Sequence, residues 1–533
     1  MKSIKLFGAA LLMGTMLAAG AAQAKSLVYC AEGSPENFTP AMNSTGTSLD
    51  AARPVYNKLV QFTPGGTTVE PGLAESYEMS PDGKTITFHL RKGVKFHSSE
   101  KTGFTPTRDL TAEDVIWSFG RQWKPDHPYA KVSGGSYDYF NDMGMPDLLK
   151  SIEKGADDLT VVMTLNEPNA PIMANLAMDF ATIQSAEYAD YLMKKGTPEQ
   201  FDQIPVGTGS FQFVDYQKDA VIRFKAFDGW AGKPKVDDLV YAITPDATAR
   251  YAKLQANECQ VMGYPNPADL EAMGKNPDVQ LLQQAGLNVG FLAMNALKPP
   301  FDKKEVRLAV AMAIDRDSIL KEVYQGAGQK AKNPMPPTIW SYDDSTVDYP
   351  YDPAKAKEML TSAGVTSLET DLWWMPVSRP YNPNAKRMAE MMQADLEKVG
   401  IHATLVSFEW GEYRKRMDAG EHQMGLRGWT GDNGDPDNFL FLAGCDKDGK
   451  PAANNLAKWC NAKFNEDLRN ARTLSEQPDR VAIYQEMQKI FHDEVPWLNI
   501  AHSTVYEPVR KEVSGYKVSP FGAHEFQDVD VAE

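Results

Sequence analysis

Residues Trp429 to Asn438 read W-T-G-D-N-G-D-P-D-N, with three aspartates, two glycines and an indole in ten positions. Before them, Gln423 to Gly428 reads as a short strand. After them, Pro436 to Phe441 reads as the start of a helix, with Asp435 placed to cap it. The acidic run therefore sits where a strand hands over to a helix, and open α/β sheets bind ligands at the carboxyl ends of their strands. A second segment, Arg379-Pro380-Tyr381, occupies the same kind of junction.

The residues between the two segments set the topology. Asp371 to Met375 reads as a strand. Pro383 to Val399 reads as a helix, with Met388, Met391, Met392, Leu396 and Val399 at helical spacing and Gly400 as its stop. That methionine stripe is read as core rather than as a ligand surface. His402 to Phe408 is the next strand, Gly411 to Asp418 a short helix, and the last strand ends at Trp429. Right-handed crossovers make the strands of such a β-α-β-α-β unit parallel. Arg379 and Asp432 then fall on the same edge of the sheet. Taken singly, Arg379 reads as a surface residue, and Asp432, Asp435 and Asp437 as a solvated turn with a helix cap. A calcium loop is disfavoured, because the D-x-[DN]-x-[DN]-G spacing with a distant glutamate is missing.

The first 24 residues read as a cleavable signal. Lys2 and Lys5 form a basic start, Leu6 to Ala22 is apolar and Ala-rich, and Ala22-Gln23-Ala24 is an A-x-A site, so the mature chain is expected to begin at Lys25. No cysteine stands at the cut to carry a lipid, and no later apolar run approaches the ~18 residues a membrane span needs. The expectation is a soluble protein of the bacterial periplasm. The length calls for two or three domains. The formal charge of −16 argues against nucleic acid or an anionic membrane as partner. Cys30, Cys259, Cys445 and Cys460 suggest two disulfides in an oxidising compartment. Of the three pairings possible, Cys445–Cys460 with Cys30–Cys259 is preferred. There is no C-x-x-C, H-E-x-x-H, G-x-S-x-G or Walker A motif. The eight histidines are scattered, and His492 reads as a helix-surface residue. No catalytic residue, metal site or cofactor is expected.

Taken in order, the chain opens on a strand, Lys25 to Cys30, and a polar loop, Gly33 to Thr47. In that loop Ser44-Thr45-Gly46-Thr47 reads first as an ordinary turn. Ser80-Pro81-Asp82-Gly83 joins two alternating strands, with Ile86, Phe88 and Leu90 on one face. Thr111 opens a helix with Asp114 at the capping-box position. The hairpin, its R-K-G-V-K-F-H continuation and the L-T-A-E-D-V helix start resemble the large extracytoplasmic solute-binding proteins, the peptide, dipeptide and nickel group that feeds ABC transporters. Pro205-Val206-Gly207-Thr208-Gly209-Ser210-Phe211 resembles that family's P-x-G-T-G-P-F turn, with Ser210 in place of proline. Val306 to Gly328 resembles its paired helices, Asp315 capping the second and Gly326 and Gly328 stopping it. His502 to Arg510 resembles a late return strand. The similarity spans essentially the whole mature chain and lies with the dipeptide branch.

The resemblance implies an α/β two-lobed periplasmic binding protein fold, type II-like, with an additional subdomain in lobe one. Lobe one would comprise about 25–285 plus 503–533, including an extra subdomain at about 57–190, and lobe two 286–502. Gly286 to Asn295 and Asn499 to Ser503 would be the crossing segments. It also implies the ligand. A dipeptide is a zwitterion whose ammonium and carboxylate sit a fixed distance apart. The family's dipeptide members hold the carboxylate with the arginine of R-P-Y, here Arg379, and the amino group with the aspartate of W-T-G-D, here Asp432. Ser44, Pro380, Tyr381, Trp429, Thr430 and Gly431 match the surrounding contacts. Ligand side chains are then expected to be weakly discriminated. The implied partners are an inner-membrane ABC permease with its ATPase subunits, and a chemoreceptor as a further one; the protein itself is expected to be a monomer. Haem, glutathione or longer peptides on the same fold are the alternative ligands, and an exported peptidase or hydrolase is the distant alternative.

Overall fold

Strand Leu368–Trp373 pairs in parallel with Ile401–Val406 on one side and with Met424–Thr430 on the other. This is the β-α-β-α-β unit read from the sequence, seen in a computed structural model that describes residues 24–446, 448–452, 454–474 and 476–532. The signal segment at 1–23 lies outside the described residues. The first connecting helix is Ala385–Glu397, capped by the Asn384 side chain on the Arg387 N–H. It buries Met388, Met392 and Leu396 against the sheet and leaves Met391 partly covered, so the methionine stripe is core. Burial of side chains of this size contributes roughly 1.5–3 kcal/mol each. The second helix, Trp410–Asp418, is capped by Glu409 and buries Tyr413 and Met417.

These three strands form one end of a twelve-stranded mixed sheet. Met424–Thr430 runs antiparallel to Asn288–Met294, whose residues are all buried. Asn288–Met294 in turn pairs with the long strand Trp497–Arg510. That strand changes partners along its length: up to Ser503 it pairs with Asn288–Met294 and Gly328–Lys330, and from Thr504 with Val279–Ala285. Val261–Met262, Ser26–Ala31, Asp238–Ile243, Val221–Ala226 and Phe211–Gln217 complete the other end. A separate four-stranded sheet orders Ala74–Met79, Thr85–Leu90, Thr160–Leu165 and Leu149–Lys154. In Thr85–Leu90 the alternation predicted from sequence is realised, with Ile86, Phe88 and Leu90 buried.

Both expected cysteine pairs are joined. Cys30–Cys259 ties the strand Ser26–Ala31 to residues 229 positions away, and Cys445–Cys460 closes a short loop. The capping box at Thr111 and Asp114 is present, and Asp315 accepts the Ser318 N–H as the cap of Arg316–Ile319. Other details differ from the sequence reading. The helix after Asp315 passes into a wide turn, Leu320–Tyr324, and Gln325 in the left-handed conformation ends it one residue before Gly326. Within the loop 33–47, Gly46 already begins a helix, Gly46–Ala52. His492 is half-buried, its ring stacked on Tyr349 at 4.4 Å. Among the described residues no helix is long and apolar enough to cross a membrane.

Candidate functional site

The loop Ser378–Asn384 leaves the carboxyl end of Leu368–Trp373 as a tight turn. Arg379 and Asn382 exchange backbone hydrogen bonds at 3.1 and 2.9 Å, and the Ser378 hydroxyl donates to the Pro383 carbonyl. The turn is pressed onto the neighbouring strands through Tyr381. Its carbonyl accepts the buried Tyr324 hydroxyl at 2.6 Å. Its ring and main chain lie so close to Gly428 and Gly290 that a Cβ at either position would run into them. Only glycine permits that approach, and the approach fixes where the Arg379 side chain departs.

The loop after Met424–Thr430 is fixed as firmly. Asn438 Oδ1 accepts both the Trp429 indole N–H, at 3.0 Å, and the Asp432 backbone N–H, at 2.8 Å. Gly431 N–H donates to the Leu287 carbonyl at 2.6 Å. Asp435 does accept the Asp437 N–H, as a cap would, but the helix it heads is a single turn, Asp437–Leu440. Its main partner is Arg480, which grips both carboxylate oxygens at 2.7 Å in a buried pair. Asp437 is held likewise by Arg472, at 2.6 and 3.0 Å. The capping bond expected of Asp435 is present, but its solvated setting is corrected: the carboxylate is buried against a charged partner 45 residues downstream.

Both loops open on one cavity of about 390 Å³. Of the residues singled out from sequence, Ser44, Arg379, Pro380, Tyr381, Trp429, Thr430 and Asp432 line it. Gly431 does not, its N–H being turned to Leu287 behind the surface. Asp432 Oδ1 accepts the Tyr139 hydroxyl at 2.9 Å, while Oδ2 is buried with no partner among the described residues. Burial pushes the Asp432 carboxyl up to about 7, against the lowering effect of the Tyr139 hydrogen bond and of Arg53. Arg379 makes no ion pair among the described residues. Its one side-chain hydrogen bond is to the adjacent Ser378 carbonyl, and its guanidinium carbon stands 5.7 Å from the Trp410 ring centroid.

Several lining residues escaped the sequence reading: Tyr139, Trp410, Arg414, Arg427, Asp142 and Asp418. Arg414 donates to the Ser44 hydroxyl at 2.7 Å, joining segments 370 residues apart. Burial raises the Asp142 carboxyl to about 6. Tyr139 comes from the short helix Asp138–Asp142, and its ring meets Trp429 edge-on at 6.5 Å. No local pattern marks Tyr139 or Arg414. For Arg427 a signal existed, a charge inside an otherwise uncharged strand. Asn433 Nδ2 donates to Asn175 Oδ1 at 2.9 Å, so the same loop also holds the short helix Ile172–Leu176 that follows the four-stranded sheet in the chain. Among the described residues no cluster of His, Cys, Asp or Glu has the makings of a metal site.

Residues 68–450 match the family model of the bacterial extracellular solute-binding proteins, family 5 Middle. The chain is 55% identical over 522 residues to the dipeptide-binding protein of Escherichia coli (strain K12), covering 97% of this chain and 96% of that protein. It is 50% identical over 510 residues to heme-binding protein A of Haemophilus influenzae, covering 95% of this chain and 92% of the relative. Its fold matches, at a TM-score of 0.89 and 36% identity, the crystal structure of a dipeptide binding protein from Pseudoalteromonas sp. SM9913 in complex with Met-Leu, covering 95% of this chain and all of that one. The two-lobed α/β fold is common to them.

Proposed function

The chain belongs to the bacterial extracellular solute-binding proteins of family 5, and on that premise we propose that it captures dipeptides in the periplasm and delivers them to an inner-membrane ABC importer. Arg379 receives the peptide carboxylate and Asp432 the ammonium. One observation carries this reading: a single cavity holds a guanidinium with no counter-ion among the described residues and a carboxylate oxygen with no donor. A bidentate arginine suits a carboxylate, and a buried aspartate suits an ammonium. A zwitterion spanning the two satisfies both, whereas a ligand with one charge leaves a partner uncompensated at a cost of about 3–5 kcal/mol. The separation of the two groups then measures peptide length. Ser44, Pro380, Tyr381, Trp429 and Thr430 make the walls between them, with Gly431 bracing the loop from behind.

The lobes close on the ligand by hinge motion. We take lobe one as about 25–285 plus 503–533, with its extra subdomain at about 57–190, and lobe two as 286–502. The partner switch of Trp497–Arg510 between Ser503 and Thr504 supports a hinge there. Export by cleavage after Ala24, a monomeric state and docking on the permease and its ATPase subunits belong to the same proposal. The test is native mass spectrometry of freshly purified protein, then calorimetry with amino acids, di-, tri- and tetrapeptides after ligand removal. Affinity peaking at two residues is expected. Equal binding of tetrapeptides refutes the ruler. A tight Soret shift on adding haem, with no peptide binding, refutes the ligand class.

A further inference from the structure

Strand Met424–Thr430 reads M-G-L-R-G-W-T, and Arg427 is its one charged residue. Alternation puts Arg427 on the face that carries Trp429, and both line the cavity. Four arginines line that cavity, and two have protein partners: Arg53 is paired with Asp50 and Asp179, and Arg414 donates to Ser44. Arg379 is the third, read above as the holder of the terminal carboxylate. Arg427 is the fourth. Its guanidinium makes no hydrogen bond and no ion pair among the described residues, and its Nη1 is buried without an acceptor. A desolvated guanidinium N–H left unpaired is unfavourable and calls for an acceptor.

The place of that acceptor follows from Trp410. The Arg427 guanidinium carbon lies 5.1 Å from the Trp410 ring centroid, and that of Arg379 lies 5.7 Å from the same centroid. The two cations thus share one indole, at the end of the cavity assigned to the peptide carboxylate. In a dipeptide, the side chain that branches nearest the carboxylate belongs to the C-terminal residue. Asp418 lines the same cavity but forms no ion pair with Arg427 among the described residues. Burial raises the Asp418 carboxyl against the lowering effect of Arg427, Arg414 and Lys458.

We propose that Arg427 receives an anionic side chain on the C-terminal residue of the ligand, so that acidic dipeptides such as Ala-Glu are preferred over their neutral isosteres. The inference rests on the reading of Arg379 as the carboxylate holder. It is tested by calorimetry on ligand-free protein with Ala-Ala, Ala-Glu, Ala-Gln, Glu-Ala and Gln-Ala. Wild-type protein should bind Ala-Glu about tenfold more tightly than Ala-Gln, the scale of one charge-assisted hydrogen bond. The Glu-Ala to Gln-Ala ratio should stay near one. In Arg427→Gln the Ala-Glu preference should vanish. Equal wild-type affinities for Ala-Glu and Ala-Gln, or a preference that appears in Glu-Ala instead, overturn the inference while Ala-Ala binding keeps the dipeptide reading intact. Absence of Ala-Ala binding overturns both. Should Arg427→Gln fail to fold, the wild-type ratio and its decline with salt decide alone.

Discussion

Replacing Asp432 by asparagine removes one charge from the cavity and little else. The amide oxygen of the new side chain can still accept the Tyr139 hydroxyl, which Asp432 Oδ1 accepts at 2.9 Å, and the backbone N–H at this position can still donate to Asn438. What is lost is the charge-assisted bond between the ligand ammonium and Oδ2, the oxygen with no protein partner among the described residues. Hydrogen bonds to charged groups contribute about 1.5–3 kcal/mol, so dipeptide affinity should fall by roughly tenfold to a hundredfold or somewhat more. Acidity supplies a second probe of the same group. Burial holds the Asp432 carboxyl at about 7, above its ordinary value of 3.8. A carboxyl raised in this way is protonated below about 7 and ionised above it. The ligand-free fold is therefore favoured at low pH and loses that contribution as pH rises through about 7. The ligand needs the ionised form, so wild-type affinity should weaken as pH drops from about 7.5 to about 5, and the Asp432→Asn variant should lose most of that dependence, the remainder belonging to Asp142, whose carboxyl burial raises to about 6. Calorimetry with Ala-Ala across that range reads both effects. Unchanged affinity of Asp432→Asn near neutral pH would falsify the ammonium assignment, and a pH-independent wild type would refute the buried-carboxyl argument.

Arg379→Ala should cost about 3–5 kcal/mol of dipeptide affinity by leaving the ligand carboxylate uncompensated, and C-terminally amidated Ala-Ala should lose affinity for wild-type protein in the same calorimeter. Asp435→Ala strands the buried Arg480 guanidinium, so urea unfolding should register a loss of about 3–5 kcal/mol. Replacing Cys30 and Cys259 together by serine releases a cross-link between residues 229 apart, and the urea midpoint should drop by the equivalent of about 2–5 kcal/mol.

The strand-helix alternation from Leu368 to Thr430 was legible because its periods are local: a methionine-rich stripe at helical spacing stopped by Gly400, between short apolar strands. Element ends drifted by two or three residues, as at Asn384, where the helix begins after Pro383 rather than on it. Arg379 and Asp432 were legible as a pair because parallel strands bring their carboxyl ends to one edge. Tyr139 and Arg414 were not, because the contacts that bring them to the cavity join residues about 290 and 370 positions apart. The burial of Asp435 was missed for the same reason: the N–H it caps is two residues away and visible, whereas Arg480 lies in a later helix, Gln477–Glu494, that no local rule connects to it.

The three aspartates of W-T-G-D-N-G-D-P-D-N look alike in sequence and have separate physical roles. Asp435 and Asp437 are each neutralised by an arginine through two short bonds, and those two pairs pin the loop to Gln477–Glu494 and Ala462–Thr473. Asn438 ties the loop back to Trp429 and to the Asp432 backbone. A loop so anchored cannot swing Asp432 toward a cation of its own, and Tyr139 offers it a hydroxyl rather than a charge. The carboxyl is thus held in a buried position with Oδ2 unpartnered among the described residues, where the proposed ligand would place its ammonium. Preorganisation of this kind raises affinity because the cost of ordering the site is met during folding rather than on binding. It also explains why the acidic run is dense: two of its three charges, with their distant arginines, hold the third in place.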